Sequence, residues 1–113
     1  MAKWIGVDLD GTLAEYEGAM GNGIGKAITP MLLRVREWIE AGREVRIFTA
    51  RACDPAQLPA IRAWLAANGL EGLKITNRKD FDMVALYDDN AVRVKRNAGH
   101  ICGSCYRMSK GRG

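Results

Sequence analysis

Short apolar segments alternate with amphipathic helical patterns along this chain. Strands are predicted at residues 3–7, 44–49, 73–76 and 83–87, and a last short strand is expected at residues 91–94. The first four segments are almost continuously apolar, and short connections join them. This pattern is typical of an α/β domain, and we predict a Rossmann-like three-layer sandwich with a mainly parallel sheet that is covered on both faces.

The first predicted helix lies between the first two strands. Thr29 and Pro30 give an N-cap followed by proline at the first helical position, and the apolar residues that follow fall on one helical face up to Gly42. A glycine-rich segment, residues 18–25, precedes this helix. Its glycines do not match a P-loop or a G-x-G-x-x-G pattern, and we interpret it as a flap over a site or as a plain loop.

The second predicted helix follows the second strand. Asp54 and Pro55 repeat the N-cap and proline signal, and Asn68 and Gly69 are the expected helix end. Pro59 lies inside the apolar pattern of this helix. It predicts either an irregular first turn or a helix that begins at that residue.

Composition indicates one soluble globular domain. The chain has 113 residues, of which 48% are hydrophobic and 27% are charged. No segment approaches the roughly 18 consecutive apolar residues of a membrane span, and the first residues lack the apolar region of a signal peptide. We therefore expect a cytoplasmic protein without membrane contact. The chain contains three cysteines, an odd number that favours reduced thiols over a disulfide framework.

The net charge of +4 is unevenly distributed. From residue 93 onward the chain contains no acidic residue but six basic ones: Arg93, Lys95, Arg96, Arg107, Lys110 and Arg112. We divide the chain into a folded domain at residues 1–94 and a basic, cysteine-containing tail at residues 95–113. Such a tail is either a solvated segment that aids solubility or a contact for nucleic acid.

Pairs of aspartates follow two of the predicted strands. Asp8 and Asp10 come after the first strand, and Asp88 and Asp89 after the fourth. Ligands of open α/β sheets bind beyond the carboxyl ends of the strands, so we expect these carboxylates to converge on one crevice. They would repel one another unless a cation were present. Carboxylate oxygens suit Mg²⁺, which keeps open positions for phosphate oxygens.

Two further residues fit a phosphate site of this kind. Thr49 ends the second strand, where its hydroxyl can donate to a phosphoryl oxygen, and Lys79 shortly precedes the fourth strand, where its charge can offset that of the phosphate. Lys74 is an alternative to Lys79. Arg51 either binds substrate phosphate or pairs with surface acids. One carboxylate would attack phosphorus, and a second would protonate the leaving alcohol and then activate water.

Four short motifs resemble those of the haloacid dehalogenase-like (HAD) superfamily. "DLDGT", the threonine in "FTAR", the lysine in "NRKD" and "YDD" occur in the order of that superfamily's four motifs. The resemblance covers about residues 3–94. It implies a Rossmann-like, HAD-like fold and a Mg²⁺-dependent phosphatase, because a second aspartate in the first motif is what the superfamily's phosphatases carry.

The resemblance also implies a role for each matching residue. Asp8 would be the nucleophile and Asp10 the general acid and base, with Thr49 and Lys79 binding the phosphoryl group. Asp8, Asp10 and Asp88 would be metal ligands, supported by Asp89. Substrate contacts are expected at four further positions: Gly11, Thr12, Ala50 and Arg51.

The chain has no room for the cap domain that this superfamily usually inserts. The segments at residues 13–28 and between Thr49 and Lys79 are short, and most of the second one is predicted helix and strand. We therefore expect an HAD-like protein with no cap domain and an open active site. The expected partner is a phosphorylated substrate, either a small molecule or a polynucleotide end.

Three other functions remain open from the sequence. The acids, Thr49 and Lys79 also fit a non-catalytic phospho-acceptor domain, although a signalling receiver places its acidic pair on the first strand. The basic tail also fits a nucleic-acid-associated protein. His100, Cys102 and Cys105 could hold zinc with Cys53 or a second chain, or form a redox pair, or be ordinary reduced thiols.

Overall fold

The structure is a computed structural model of the chain, and it describes residues 3–16 and 23–103. Its regular elements are β1 (Trp4–Val7), α1 (Thr29–Glu40), β2 (Glu44–Phe48), α2 (Leu58–Ala67), β3 (Lys74–Thr76) and β4 (Met83–Tyr87). The strands form one sheet in the order β3-β2-β1-β4, and every pair of neighbours is parallel. The predicted Rossmann-like α/β fold with a parallel sheet is therefore confirmed.

The register of the sheet brings the ends of three strands to the same level. In β1, Val7 lies beside Ile47 of β2 on one side and beside Tyr87 of β4 on the other. Asp8 and Asp88 are the next residues along β1 and β4. The carboxyl edge of the sheet therefore carries the predicted acidic residues of both strands side by side.

Both helices lie on the same face of the sheet. The chain passes from β1 to β2 and then to β3 in one direction across the sheet, and right-handed crossovers put both connecting helices on one side. Arg36 of α1 donates to the carbonyl of Asn68 at the end of α2, at 2.7 Å. The core between the helices and the sheet contains Ile5, Val7, Val35, Val45, Ile47, Ile61 and Leu65.

The opposite face of the sheet centres on Trp4, which is fully buried. Its ring contacts the guanidinium of Arg46 at 4.5 Å, and its indole Nε1 donates to Asp80 at 2.8 Å. Asp80 belongs to the loop at residues 77–82, which crosses this face from β3 to β4. Within the described residues, side chains and this loop, rather than a helix, cover this face.

The helix starts differ from their predicted positions. Ile28, not Thr29, is the N-cap of α1, and it makes no side-chain capping bond because its side chain is apolar. Asp54 caps a short 3₁₀ turn by accepting from the amide of Ala56 at 3.0 Å, and α2 begins afterwards, at Leu58. The predicted helix end is confirmed, since Gly69 follows α2 with a φ of 75°.

The strand predicted at residues 91–94 is wrong. Only Val94 makes a bridge there, with Ile101, because this segment pairs with its own continuation instead of with the sheet. Backbone bonds of 2.8 Å on either side of that bridge close a small hairpin at residues 93–102.

No helix within residues 3–16 and 23–103 combines the length and apolar character that crossing a lipid bilayer requires.

Candidate active site

A tight turn follows β1 and orients the first two aspartates. The carbonyl of Leu9 accepts from the amides of Leu13 and Ala14 at 3.0 and 2.9 Å, and all three side chains are fully buried. Asp8 and Asp10 flank Leu9 and are only half-buried. Burial of the leucine therefore keeps the neighbouring carboxylates at the surface of the sheet edge.

Three carboxylates converge at this edge. One oxygen each of Asp8, Asp88 and Asp89 lies within 4.8 Å of the others, and we call this group the acidic cluster. The backbone explains the convergence, because the amide of Asp8 donates to the carbonyl of Tyr87 at 2.9 Å and so extends the pairing of β1 with β4 by one residue. The predicted proximity of Asp8 to Asp88 is therefore confirmed.

The acidic cluster makes ionisation of Asp8 unfavourable. The pKa of Asp8 is raised from 3.8 to about 7, first by burial, then by the charge of Asp88 and by a hydrogen bond and charge from Asp89. A bond from the amide of Leu9 acts in the opposite direction and is weaker. Like charges are thus held together at a cost that a cation between them would offset.

Thr12 and Gly11 fix the position of Asp89. The hydroxyl of Thr12 donates to Asp89 Oδ1 at 3.1 Å and accepts from the amide of Asp89 at 2.9 Å. Gly11 has a φ of 91°, and a Cβ at this position would lie 2.6 Å from Asp89 Oδ2. Thr12 therefore holds a member of the acidic cluster and Gly11 leaves room for it, and the predicted substrate contacts of both residues stay predictions.

Asp10 does not belong to the acidic cluster. Its Oδ2 accepts from Arg51 Nε at 2.7 Å and its Oδ1 from Arg51 Nη2 at 2.9 Å, a two-point ion pair. Three of the four predicted metal ligands therefore come together through their side chains, and the fourth is held by an arginine. The interaction with Asp10 also raises the pKa of Arg51.

The end of β2 directs Arg51 towards Asp10. The side chain of Thr49 accepts from the amide of Arg51 at 3.2 Å and starts a 3₁₀ turn at Ala50–Cys53. This turn folds the chain back beside the end of β1. Thr49 itself is 2% exposed, and Ala50 lies on the surface. Phosphoryl binding by Thr49 and substrate contact by Ala50 stay predictions.

The donor set of the acidic cluster fits a hard divalent cation. Ligand oxygens at about 2.1 Å from Mg²⁺ lie about 3 to 4 Å from one another. The oxygens of Asp8, Asp88 and Asp89 are within 4.8 Å of one another, so a small contraction would bring all three to one ion. The residues present therefore fit the predicted Mg²⁺.

The structure separates the two candidate lysines. Lys74 begins β3, and its Nζ lies 3.9 Å from Glu44 at the start of β2, which is the edge of the sheet remote from the acidic cluster. Lys79 is exposed in the 77–82 loop, three residues past the carboxyl end of β3. Among the described residues no ion pair joins Lys79 to the acidic cluster, and its phosphoryl-binding role stays a prediction.

The zinc and nucleic-acid predictions concern the end of the chain. His100 and Cys102 lie in the hairpin, whereas Cys105 is outside the described residues, as are the last three basic residues of the tail. The described basic residues of this segment, Arg93, Lys95 and Arg96, are exposed. These predictions stay untested.

Sequence reasoning missed two partners of Arg51. Arg51 Nη1 donates to Gln57 Oε1 at 3.0 Å, and Nη2 donates to the carbonyl of Gly23 at 3.2 Å. A glutamine in a short turn and a backbone carbonyl carry no motif. The available signal was the position of Arg51 two residues after the strand end.

Comparisons with known proteins bear on the fold. No protein-family model and no curated protein matches the chain. One solved structure, described as a conserved protein coded by a locus from Bacteroides thetaiotaomicron, is similar to it with a TM-score of 0.62 and 23% identity. The match covers 100% of this chain and 93% of that protein. At this level of identity the likeness shows a shared α/β fold.

Proposed function

We propose that the protein is a Mg²⁺-dependent phosphatase that hydrolyses phosphomonoesters through an aspartyl-phosphate intermediate. The observation that carries this proposal is the acidic cluster, in which Asp8 from β1 meets Asp88 and Asp89 from β4 at the carboxyl edge of a parallel sheet. A half-buried aspartate with two neighbouring carboxylates suits both a cation site and a phosphoryl acceptor.

In the proposed reaction, Asp8 is the nucleophile. One of its oxygens attacks phosphorus, the phosphorus–oxygen bond to the alcohol breaks, and an acyl phosphate forms. Water then attacks the phosphorus of this intermediate, which releases inorganic phosphate and regenerates the carboxylate. Asp8 suits this role because it is half-buried at the carboxyl end of β1, beside the other two carboxylates of the acidic cluster.

Asp10 is the proposed proton carrier of both steps. It would give its proton to the oxygen of the leaving alcohol and then take a proton from the attacking water. Asp10 lies two residues after Asp8 in the chain, and the buried Leu9 stands between them. This separation supports different tasks for the two carboxyl groups.

Mg²⁺ would be held by the carboxylates of Asp8, Asp88 and Asp89. When bound, it would neutralise their mutual repulsion and polarise the oxygens of the phosphoryl group. For this purpose Thr12 would hold Asp89 through its two hydrogen bonds, and Gly11, which has no side chain, would leave room for the Asp89 carboxylate.

The short connections support an open site without a cap domain. Only residues 8–28 connect β1 with α1, and only residues 49–57 connect β2 with α2. An open edge suits phosphorylated small molecules as well as the phosphorylated end of a polynucleotide. The exposed cations of the hairpin, Arg93, Lys95 and Arg96, favour including polynucleotide ends among the substrates to be tested.

The test is hydrolysis of an aryl phosphate by the purified protein. We expect turnover that requires Mg²⁺ and is abolished by Asp8→Asn, while Glu40→Gln, an exposed carboxylate at the end of α1, keeps full activity. A folded wild-type protein without turnover, or an Asp8→Asn variant with full activity, would contradict the proposal. Stable phosphorylation of Asp8 without release of phosphate would instead identify a phospho-acceptor domain.

A further inference from the structure

The guanidinium of Arg51 donates to protein partners from all three of its nitrogens. Nε and Nη2 donate to the two oxygens of Asp10, Nη1 donates to Gln57, and Nη2 also donates to the carbonyl of Gly23. An arginine offers five donors in a fixed plane. With these contacts in place, Arg51 does not present its fork to a substrate phosphate.

We propose that Arg51 is the positioning residue for Asp10, and that it ties Asp10 to the segment that leads into α1. This inference rests on the proposed phosphatase function, in which Asp10 carries the proton. In this role Arg51 does not bind the substrate. It affects the reaction by orienting Asp10.

The geometry of the pair carries the inference. Two parallel bonds, at 2.7 and 2.9 Å, fix both the direction and the plane of the Asp10 carboxyl group. A carboxylate has about four acceptor positions, so the two that Arg51 occupies leave others for a proton that moves to the leaving alcohol. A lysine has a single ammonium and would not fix the plane.

Burial makes this positioning effective. The side chains of Arg51 and Asp10 are 17% and 22% exposed, so the pair is less screened by water than an ion pair at the surface. The amide of Arg51 is itself bonded to the nearly buried Thr49, which fixes the arginine at its backbone end. Both ends of the side chain are thus anchored.

The same arginine reaches the segment before α1. Beyond Gly23, two hydrogen bonds hold this segment against the rest of the protein. Trp64 Nε1 donates to the carbonyl of Gly25 at 2.8 Å, and the amide of Glu15 donates to the carbonyl of Lys26 at 2.9 Å. The bond from Arg51 extends this fastening to Gly23. One side chain, that of Arg51, therefore contacts both Asp10 and this segment.

The experiment compares two substrates that differ in their need for a proton donor. A phosphate ester of a simple alkyl alcohol needs protonation of its leaving oxygen, whereas an aryl phosphate with an acidic phenol does not. General acid catalysis contributes roughly 10²- to 10⁴-fold. We expect Arg51→Lys to lower kcat/KM, which reports formation of the acyl phosphate, at least about tenfold for the alkyl ester and much less for the aryl ester.

The controls separate positioning from other roles. Arg34→Lys, an exposed arginine on α1, should leave both activities unchanged. Combining Arg51→Lys with Asp10→Asn should lower the alkyl-ester rate no further than Asp10→Asn alone, since the two residues act as a unit. Arg51→Lys keeps the positive charge and removes only the two-point hydrogen bonding of the guanidinium. It therefore tests the positioning role even if Arg51→Ala fails to fold.

Three results would overturn the inference. If Arg51→Lys raises KM for both esters and leaves kcat unchanged, Arg51 binds substrate directly. If it lowers kcat/KM by the same factor for both esters, or if the double variant is additive, Arg51 does not act through Asp10, and the proposed phosphatase function still stands. A wild-type protein that hydrolyses neither ester contradicts the phosphatase function itself.

Discussion

Thr12 and Asp89 bind each other through two hydrogen bonds although 77 positions separate them in the chain. The hydroxyl of Thr12 donates to the carboxylate of Asp89 and accepts from its amide. One small side chain therefore joins the turn after β1 to the turn after β4. This connection holds one carboxylate of the acidic cluster in a fixed position relative to the other two.

Replacing Thr12 with valine should destabilise the protein. The isosteric side chain fills the space of the threonine but removes both hydrogen bonds to Asp89, and a typical hydrogen bond contributes roughly 0.5 to 1.5 kcal/mol. Urea unfolding of Thr12→Val should show a free energy of unfolding that is lower by about this amount. Thr12→Ser keeps the hydroxyl and should lose less. Equal losses in the two variants would mean that the hydroxyl does not matter.

Gly11→Ala should weaken Mg²⁺ binding. The added Cβ would lie 2.6 Å from Asp89 Oδ2 and would push this carboxylate out of the acidic cluster. Gly72→Ala is a matched control, because Gly72 has the same φ of 91° with nothing within 4 Å of its Cβ position. Both variants should lose stability through backbone strain. Only Gly11→Ala should lose Mg²⁺ affinity in calorimetric titration, and equal affinities would contradict the proposed role of the glycine.

The stability of the metal-free protein should depend on pH through Asp8. The folded protein raises the pKa of Asp8 from 3.8 to about 7, so it binds this proton more tightly than the unfolded chain does. The stabilising contribution is complete below about pH 4 and is lost as the pH rises through about 7. Because Asp8 is only half-buried, solvent screening limits the effect to roughly 1 to 2 kcal/mol.

Chemical unfolding in a metal chelator at several pH values measures this dependence. We expect the free energy of unfolding of the wild type to rise relative to that of Asp8→Asn as the pH falls from about 8 to about 5. A difference that stays constant over this interval would show that the pKa of Asp8 is not raised.

Lys79→Ala should lower phosphatase activity by roughly 10²-fold, because the lysine is the proposed counter-charge to the phosphoryl group. Lys74→Ala is the matched control. Its ammonium lies beside Glu44 at the opposite edge of the sheet, so its removal should change activity little. The two kcat values, measured with the same aryl phosphate, decide between the lysines. Full activity of Lys79→Ala would exclude Lys79 from the reaction.

The order of the strands and helices could be predicted because each depends on local patterns. Apolar runs predict the buried strands, and the asparagine and glycine at residues 68 and 69 predict the end of α2. The start of α1 was misplaced because an apolar residue, Ile28, has the N-cap conformation there. The strand at residues 91–94 was wrong because Val94 pairs with Ile101 rather than with the sheet.

The acidic cluster could be predicted from the rule that ligand sites lie beyond the carboxyl ends of parallel strands. Asp8 and Asp88 follow β1 and β4, and their side chains come together because these strands are parallel neighbours in the sheet. The ion pair of Asp10 with Arg51 could not be predicted in this way. It depends on the 3₁₀ turn after Thr49, whose direction is set by tertiary contacts.

Calorimetric titration with Mg²⁺ tests the central claim most directly, namely that carboxylates from β1 and β4 hold one divalent cation. We expect one saturable site in the wild-type protein, and a loss of affinity of at least about tenfold in both Asp8→Asn and Asp88→Asn, because each variant removes one charged ligand. Wild-type affinity in both variants, with their folds intact, would contradict the account.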